Sequence, residues 1–300
     1  MEKRSLNLLI KQEALRLQFD GCGISKAERL EQEEPHLFYW LNHHYYAEMD
    51  YMAKNLEKRV DPTKLMKGAK SVICLLSNYK PAQWQSSHIP QIASFAYGRD
   101  YHIVLKEQLY KLKAFIDSQV TSSMRLFVDT APILERAWAA KAGLGWIGKS
   151  NLLISPKFGP YTFISVILTN LELETDNPME PQCGSCLNCV KACPTGALNA
   201  PFSLDARRCI SYQTIEKKGP CTQNPSPYIF GCEICLRACP YGANTPYTTL
   251  FPPLPGLLQV TANEWKEMLP DIFSQRFSKS PLHRAGLQKI KNTIAYLRLV

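Results

Sequence analysis

The sequence predicts an α/β chain in three segments, and three observations support that prediction. Helical and strand-like stretches alternate from Ser5 to about Thr175. Nine of the eleven cysteines fall between Cys183 and Cys239, and a proline-rich connector then leads to a helical, basic end. Such alternation is typical of an α/β domain, and clustered cysteines indicate metal. We expect an α/β domain over residues 1–175, a metal-binding domain over 176–245 and a helical basic tail over 246–300.

The strands of the first segment are short runs rich in β-branched and aromatic residues. Between them, "VLKEQLYKLKAFIDSQV" has the three- and four-residue apolar spacing of a helix. The end of the chain, "SPLHRAGLQKIKNTIAYLRLV", reads as one amphipathic basic helix. The predicted strands are "SVICLLS" (71–77), "IASFAYG" (92–98), "RLFVD" (125–129), "NLLISP" (151–156) and "YTFISVIL" (161–168).

The stretch "GLGWIGKS", Gly143 to Ser150, matches the pattern of a phosphate-binding loop. Such a loop leaves a strand and enters a helix, so that backbone N–H groups and the helix N-terminus face the phosphates. Here the order is reversed, because the helical "PILERAWAAKA" precedes it and a short strand follows. The alternative is a helix-to-strand turn that uses glycine for positive φ.

The cysteine spacing predicts two 4Fe-4S clusters. "CGSCLNCVKACP" has the bacterial ferredoxin spacing, and "CEICLRACP" is a second, altered copy in which Cys209 supplies the missing ligand. In two-cluster ferredoxins the cysteine before proline ligates the other cluster. Structural zinc bound by four thiolates is the alternative metal. We therefore assign one cluster to Cys183, Cys186, Cys189 and Cys239, and the other to Cys193, Cys209, Cys232 and Cys235.

Composition excludes several classes of protein. A hydrophobic content of 45% with 20% charged residues is globular, and no apolar run reaches signal-peptide or membrane-spanning length. We expect a cytoplasmic protein with no membrane association. The formal charge of +9 favours an anionic partner. Of the remaining cysteines, Cys74 is expected in the core, and Cys22 and Cys221 in loops.

Several separated motifs resemble the epoxyqueuosine reductases, a family of cobalamin and iron-sulfur enzymes that complete the tRNA modification queuosine. They keep the order and approximate spacing found in that family. In such proteins the "GLGWIGKS" loop belongs to the cobalamin-binding domain. The matching stretches are "YGRDYH" (97–102), "VDTAPILERAWAAKAGLGWIGKSNLLISPKFG" (128–159), the first cysteine run, "RRCISYQTIEKKG" (207–219) and "FGCEICLRACPYG" (230–242).

The resemblance implies a cobalamin-binding α/β domain fused to a ferredoxin-like domain with two 4Fe-4S clusters. The implied reaction removes the epoxide oxygen of epoxyqueuosine at the tRNA wobble position with two electrons and two protons. An external low-potential donor would supply the electrons. Asp129 matches the family's proton donor, for which we expect a raised pKa in the substrate complex, through burial beneath the corrin and the modified base. The alternative role is a helix N-cap. Asp100 is a second candidate acid, and its alternative role is the cap of the following helix.

Contacts to cobalamin and tRNA are also carried over from the family pattern. Many family members have Asn-Thr where this chain has Ser150–Asn151. Longer relatives continue into helical repeats that help grip tRNA, so basic residues here are expected to contribute more; each could equally be a solvated surface charge. The expected corrin contacts are Arg59, Asp129, Lys149, Ser150, Asn151, Ser211 and Gln213. The expected tRNA contacts are Arg207, Arg208, Lys217, Lys218, Arg284, Lys289 and Lys291.

Two other functions remain open at this point. One is a different cobalamin and iron-sulfur reductase, such as a reductive dehalogenase. The other is an electron-transfer protein with two 4Fe-4S clusters. The twin-arginine signal of respiratory dehalogenases is not found in "MEKRSLN", and a simple carrier would not need the α/β segment.

Overall fold

The computed structural model describes residues 3–225 and 227–297, without the side chains of residues 3 and 4. Its centre is a four-stranded sheet with the strand order β1-β2-β7-β4. All three neighbouring pairs in this sheet are antiparallel. The strands are β1 (Gly21–Lys26), β2 (Ser71–Asn78), β3 (Gln91–Ile92), β4 (Met124–Phe127), β5 (Trp146–Ile147), β6 (Leu153–Ile154), β7 (Thr162–Thr169) and β8 (Tyr228–Phe230).

Helices surround this sheet and continue to the end of the described chain. They are α1 (Lys3–Arg16), α2 (Glu34–Asn42), α3 (Leu56–Val60), α4 (Pro62–Leu65), α5 (Tyr101–Gln119), α6 (Glu135–Lys141), α7 (Asn188–Ala192), α8 (Ile210–Ile215), α9 (Ile234–Arg237), α10 (Ala262–Glu267), α11 (Pro270–Phe277), α12 (Leu282–Ala285) and α13 (Leu287–Ile294). Short 3₁₀ turns cover Asp50–Met52, Ser94–Ala96, Ala206–Arg208, Pro240–Gly242 and Leu257–Gln259.

The two faces of the sheet are covered by different helices. All eight residues of β2 are buried. Because strand side chains alternate, Ile73 and Leu75 enter a core with α1 and α5, whereas Cys74 and Leu76 enter a core with α6. The predicted α/β class is confirmed, and Cys74 is a core residue as expected. The antiparallel pairing did not follow from the alternation of helices and strands.

Three local predictions are wrong. Cys22 lies in strand β1, opposite Leu75, and not in a loop. The run 92–98 continues β3 only at Ile92 and then turns into a 3₁₀ helix, because its buried residues pack against the C-terminal helices and not within a sheet. The predicted final helix is divided into α12 and α13 at Gly286, whose φ of +77° breaks the helix. Residues 298–300 of that prediction lie outside the described residues.

The expected tail is part of the folded body. Leu282 and Ile290 are fully buried in a core shared with β3 and β8. A second core places Leu236 and Phe251 beside residues of the central sheet. Cores therefore cross the positions 175/176 and 245/246, and the three predicted segments pack as continuous parts of one structure.

Lys80, just after β2, joins the sheet to the cysteine-rich segment. Its side chain is 7% exposed. Nζ donates to the carbonyl oxygens of Gly242 (2.8 Å), Ala243 (3.0 Å) and Thr245 (3.0 Å). These acceptors compensate for the burial of an ammonium group.

The "GLGWIGKS" stretch contains the helix-to-strand turn and β5, the first strand of the β5–β6 hairpin. Gly143 ends α6 with φ of +72°. At Gly145, a Cβ atom would lie 2.2 Å from the carbonyl oxygen of Ile154. These glycines are therefore required by the backbone path and by close strand packing, which disfavours the phosphate-loop interpretation.

Candidate functional site

Asp129 lies directly after β4 in a strained turn. Its φ is +59°, and the N–H of Thr130 donates to the carbonyl of Val128 (2.7 Å), the pattern of a positive-φ γ-turn. Such a conformation costs on the order of 1–3 kcal/mol and persists only when other contacts fix it. The N-cap alternative for Asp129 is wrong, because α6 starts at Glu135 with Leu134 at the cap position.

The first turn of α5 contacts the Asp129 carboxylate. The Tyr101 hydroxyl donates to Oδ2 at 2.6 Å, and Nε2 of His102 lies 3.5 Å from the same oxygen. Asp100 caps α5, as its alternative role predicted, by accepting from the His102 backbone N–H (2.9 Å). Its Oδ1 also lies 2.8 Å from Nδ1 of His102. Asp100 thereby orients the imidazole between two carboxylates.

These contacts set the protonation states of the site. Although burial opposes it, the hydrogen bond to Asp100 and the nearby carboxylate of Asp129 raise the pKa of His102. The contact with His102, and then the hydrogen bond from Tyr101, lower the pKa of Asp129 against the opposing effect of burial. The raised pKa expected for Asp129 applies to burial beneath the corrin and the modified base, and it stays a prediction for that complex. In the protein by itself the Asp129 carboxylate is ionised at neutral pH, and His102 is the neighbouring group that favours a proton.

Glu135 is a third acidic group at the site, which the sequence did not identify. Its Oε1 accepts the backbone N–H of Asp129 at 2.7 Å. Burial, and then the nearby charge of Asp129, raise the pKa of Glu135 to about 8. The available signals were the "ILER" stretch for Glu135 and the "YGRDYH" motif for Tyr101 and His102.

Asp129 lines two adjoining cavities. The larger has a volume of about 710 Å³, and the smaller, about 170 Å³, also includes Tyr101 and His102. Glu216 and Arg284 line both. The larger cavity is a size that holds a cofactor. Its lining is Tyr51, Met52, Lys54, Asn55, Arg59, Asp129, Thr130, Ala131, Pro132, Ile133, Leu134, Glu135, Arg136, Ala137, Ile147, Asn151, Glu216 and Arg284.

The expected corrin contacts separate into three groups. Arg59, Asp129 and Asn151 line the larger cavity. Lys149 and Ser150 line a different cavity among the cysteines, where Nζ of Lys149 donates to the carbonyl of Gly184 at 2.5 Å.

The third group lies in α8. Ser211 is half-buried there, and the side chain of Gln213 donates to the carbonyl of Arg207 (2.7 Å) and contacts Thr222. Gln213 therefore has a structural partner set within the cysteine-rich segment.

A cavity of about 320 Å³ lies among the cysteines of the first predicted cluster. Cys183, Cys186 and Cys189 line it together with Cys239, the distant residue of the crossed assignment. Gly148 and Lys149 close one side. The geometry supports the assignment of these four thiols to one cluster, which stays a prediction.

The other four cysteines lie near enough for their thiols to affect one another's pKa values. Burial raises the pKa of Cys232 to about 12, and the neighbouring thiols of Cys209 and Cys193 add to that increase. Burial, and then the neighbouring thiols of Cys232, Cys209 and Cys193, raise the pKa of Cys235. Within the described ranges, no three His, Cys, Asp or Glu side chains are grouped around the position of a single metal ion.

One short segment separates the two principal cavities. Ile147 and Asn151 line the 710 Å³ cavity, whereas Gly148, Lys149 and Ser150 between them line the cysteine cavity. The hairpin loop therefore forms a shared wall, and the first cluster site adjoins the cofactor-sized cavity.

The basic residues expected to contact tRNA differ in their surroundings. Arg284 is exposed at the mouth of both Asp129 cavities. Arg207 is paired with Asp205 (2.7 Å), and Lys217 with Glu48 (3.1 Å). Nζ of Lys289 donates to the carbonyls of Ile215 (3.0 Å) and Lys217 (2.5 Å). Arg208 and Lys218 are exposed, and Lys291 is half-buried.

Among the described residues, no helix combines the length and apolarity needed to cross a bilayer.

Two family models match the chain. "Epoxyqueuosine reductase QueG, DUF1730" matches residues 59–130, and "4Fe-4S double cluster binding domain" matches residues 182–242. The second match confirms the predicted double-cluster domain.

Curated relatives match over almost the whole chain. An epoxyqueuosine reductase from Cellulophaga algicola is 42% identical over 97% of this chain and 97% of its own. One from Leadbetterella byssophila is 42% identical over 97% and 98%.

Solved structures of epoxyqueuosine reductases are also similar to this chain over almost its whole length. An epoxyqueuosine reductase crystallised with an epoxyqueuosine-modified tRNA stem loop has a TM-score of 0.90 at 26% identity, covering 98% of this chain and 81% of that one. The Bacillus subtilis enzyme, described with the loop of its catalytic aspartate swung out of the active site, has a TM-score of 0.88 at 26% identity, with coverages of 98% and 81%.

A catabolic reductive dehalogenase shares only the fold, with a TM-score of 0.51 at 18% identity, covering 79% of this chain and 32% of that one. The sequence identity and coverage of the curated relatives, together with the DUF1730 match, decide the family. This chain belongs to the epoxyqueuosine reductase family.

Proposed function

We propose that this protein reduces epoxyqueuosine to queuosine in tRNA, with cobalamin and two 4Fe-4S clusters as cofactors. One observation carries the proposal: Asp129 lies in a cofactor-sized cavity whose wall, Ile147–Asn151, is shared with the first cysteine cavity. A family member has been crystallised with the modified stem loop of tRNA. The site thus combines a proton-handling carboxylate, room for a large cofactor and an adjoining source of electrons.

The residues present fit both kinds of cofactor. Eight cysteines form two sets of thiols, and thiolate is the ligand that iron-sulfur clusters require. The larger cavity offers Asn55, Arg59 and Asn151 as hydrogen-bonding groups toward the carboxamide arms of a corrin, with Ile133 and Ala137 as apolar contacts. When bound, reduced cobalamin would supply a strongly nucleophilic cobalt centre.

Removal of the epoxide oxygen as water consumes two protons and two electrons. We assign Asp129 as the group that protonates this oxygen. Because its carboxylate is ionised at rest, a proton must first reach Oδ2, and His102 Nε2 is 3.5 Å away. Tyr101 holds the same oxygen by donating a hydrogen bond, and Asp100 holds the imidazole. A positioned general acid contributes about 10²–10⁴ in rate.

The 170 Å³ cavity beside Asp129 is where we place the modified base. Phe95, Tyr101 and Phe230 supply aromatic surface, and Arg284 supplies positive charge at its edge. Phosphate contacts dominate the affinity of proteins for nucleic acids, so exposed Arg208, Lys218 and Arg284 are better candidates than the engaged Lys289. An external low-potential protein would deliver the electrons in the cytoplasm.

Analysis of tRNA nucleosides from cells lacking this protein tests the proposal. Epoxyqueuosine should accumulate and queuosine should disappear, and the unaltered gene should restore queuosine. Normal queuosine in the deletion strain would contradict the proposed reaction. Retained activity on epoxyqueuosine-tRNA by protein freed of corrinoid would contradict the cobalamin assignment.

A further inference from the structure

We propose that Glu135 is a positioning residue that holds the Asp129 turn in the cavity, acting as a hydrogen-bond acceptor for the Asp129 backbone. This inference rests on the assigned role of Asp129. We define the Asp129 turn as residues 128–134. The contact on which the proposal stands is the 2.7 Å hydrogen bond from the Asp129 N–H to Oε1 of Glu135.

The turn needs such a contact because its backbone is strained. Asp129 has a φ of +59°, a region that side-chain-bearing residues rarely adopt. Tyr101 and His102 contact only the carboxylate, and reacting with substrate would disturb both contacts. Glu135 instead contacts the backbone, so its hydrogen bond can persist while the carboxylate changes protonation or partner.

A loop of this kind can leave its site. In the Bacillus subtilis relative, the loop of the catalytic aspartate is swung out of the active site. Glu135 is the first residue of α6, a helix that packs against the sheet through fully buried Trp138 and Ala139. The acceptor is therefore attached to a rigid element, whereas the donor lies in the turn.

The surroundings of Glu135 favour its neutral form at neutral pH. The charged or titratable groups facing it are Asp129 in the turn, Arg136 on the same helix, His102 on α5 and Cys74 on β2. Burial and the Asp129 charge place its pKa at about 8. A neutral carboxyl can accept the N–H through its carbonyl oxygen, as a glutamine amide can. Above about pH 8, a second negative charge would arise beside the Asp129 carboxylate and weaken the closed turn.

Hydrogen–deuterium exchange of the cluster-loaded protein, without corrinoid or RNA, tests the proposal independently of activity. Glu135→Leu removes the acceptor, so exchange in a peptide covering 128–134 should be about tenfold faster at pH 7. Glu135→Gln should preserve the wild-type exchange at pH 7. The matched control is Asp20→Leu, which removes another carboxylate that accepts a backbone N–H, from Asn78 at 2.7 Å, and whose residue lines none of the three cavities described above.

Single-turnover reduction of epoxyqueuosine-tRNA provides a second readout. Glu135→Leu should reduce the rate by about 10- to 100-fold through misplacement of Asp129, and Glu135→Gln should restore it. Turnover of the wild type and of Glu135→Gln should decline as His102 loses its proton, but the wild type should show an additional fall above about pH 8 that Glu135→Gln does not show. Unchanged exchange in Glu135→Leu, or equal defects in the Leu and Gln variants, would overturn the proposal. If exchange behaves as expected but no variant or wild type reduces the tRNA, the fault lies in the proposed reaction and not in the role of Glu135.

Discussion

The two cavities on either side of the Ile147–Asn151 wall are built in different ways. The cysteine cavity takes three of its four thiols from one eleven-residue run, Cys183 to Cys193, in which sequence spacing defines the ligand set. The 710 Å³ cavity combines the 3₁₀ turn at Asp50–Met52, the 128–134 turn, the start of α6 and Arg284, which are far apart in the sequence, and the adjoining 170 Å³ cavity adds the start of α5. The ligands of the cysteine cavity can therefore be predicted from sequence spacing. The protonation states of the Asp129 site depend instead on contacts that form only when the chain folds.

The strongest test of this difference is Asp129→Asn. The amide cannot deliver a proton, so turnover should fall by about 10²–10⁴. Both clusters, cobalamin binding and tRNA affinity should be retained, with little change in thermal midpoint. Single-turnover epoxide reduction and thermal unfolding on one preparation measure these effects. Asp20→Asn is the control and should retain turnover. Near-normal turnover of Asp129→Asn would remove Asp129 from the mechanism and direct attention to Asp100.

Arg284→Gln tests whether a basic residue that lines the Asp129 cavities contacts tRNA, in comparison with Lys289, whose charge is engaged by backbone carbonyls. Loss of one phosphate contact should weaken tRNA binding a few-fold and reduce the slope of log affinity against log salt by about 0.7–0.9. Lys289→Gln should leave that slope unchanged and lower the thermal midpoint, because Lys289 donates to two backbone carbonyls. Fluorescence titrations with tRNA at several salt concentrations distinguish them. Equal slopes for Arg284→Gln and the wild type would contradict the placement of RNA at this cavity.

Cys193→Ala tests the crossed assignment of the two clusters. In that assignment Cys193 ligates the cluster of Cys209, Cys232 and Cys235, and not the cluster of the run in which it lies. The wild type should hold about eight iron atoms per chain. The variant should keep about half, losing the cluster of Cys209, Cys232 and Cys235. Iron analysis and electron paramagnetic resonance under anaerobic conditions measure this loss, with Cys221→Ala as a control that keeps both clusters. Selective loss of the Cys183, Cys186 and Cys189 cluster would show that the assignment is not crossed.

His102→Gln should produce the smallest effect, a pH-dependent change in stability. The raised pKa of His102 stabilises the fold fully below its unfolded value of about 6.5, and this contribution is lost as pH rises through the folded value. The lowered pKa of Asp129 adds stability above about 3.9, lost as pH falls through its folded value. The loss in thermal midpoint should therefore be largest near pH 5, about a few degrees, and small at pH 9. A constant difference across this range would mean that the His102 effect is steric.

The cysteines could be proposed as ligands from their spacing, and Asp129 as the proton donor from the family resemblance and its place after a predicted strand. Sequence reasoning missed Glu135 and the pairing of His102 with two carboxylates, because those contacts join residues that only the fold brings together. The lowered pKa of Asp129 in the protein by itself was not anticipated for the same reason, since Tyr101 and His102 are distant from Asp129 in the sequence. Likewise, apolar periodicity identified α5 and β2, whereas the break at Gly286 required its backbone angle.

Lys80 has a consequence for how the protein is made. During synthesis, β2 and Lys80 leave the ribosome long before Gly242, Ala243 and Thr245, whose carbonyls are the acceptors of its ammonium group. Until those residues arrive, Lys80 must stay hydrated, because an unpaired ammonium is costly to bury. The packing around Lys80 therefore cannot be completed before the end of the cysteine segment has been made. We expect cluster insertion and closure of this core to be coupled late steps in maturation.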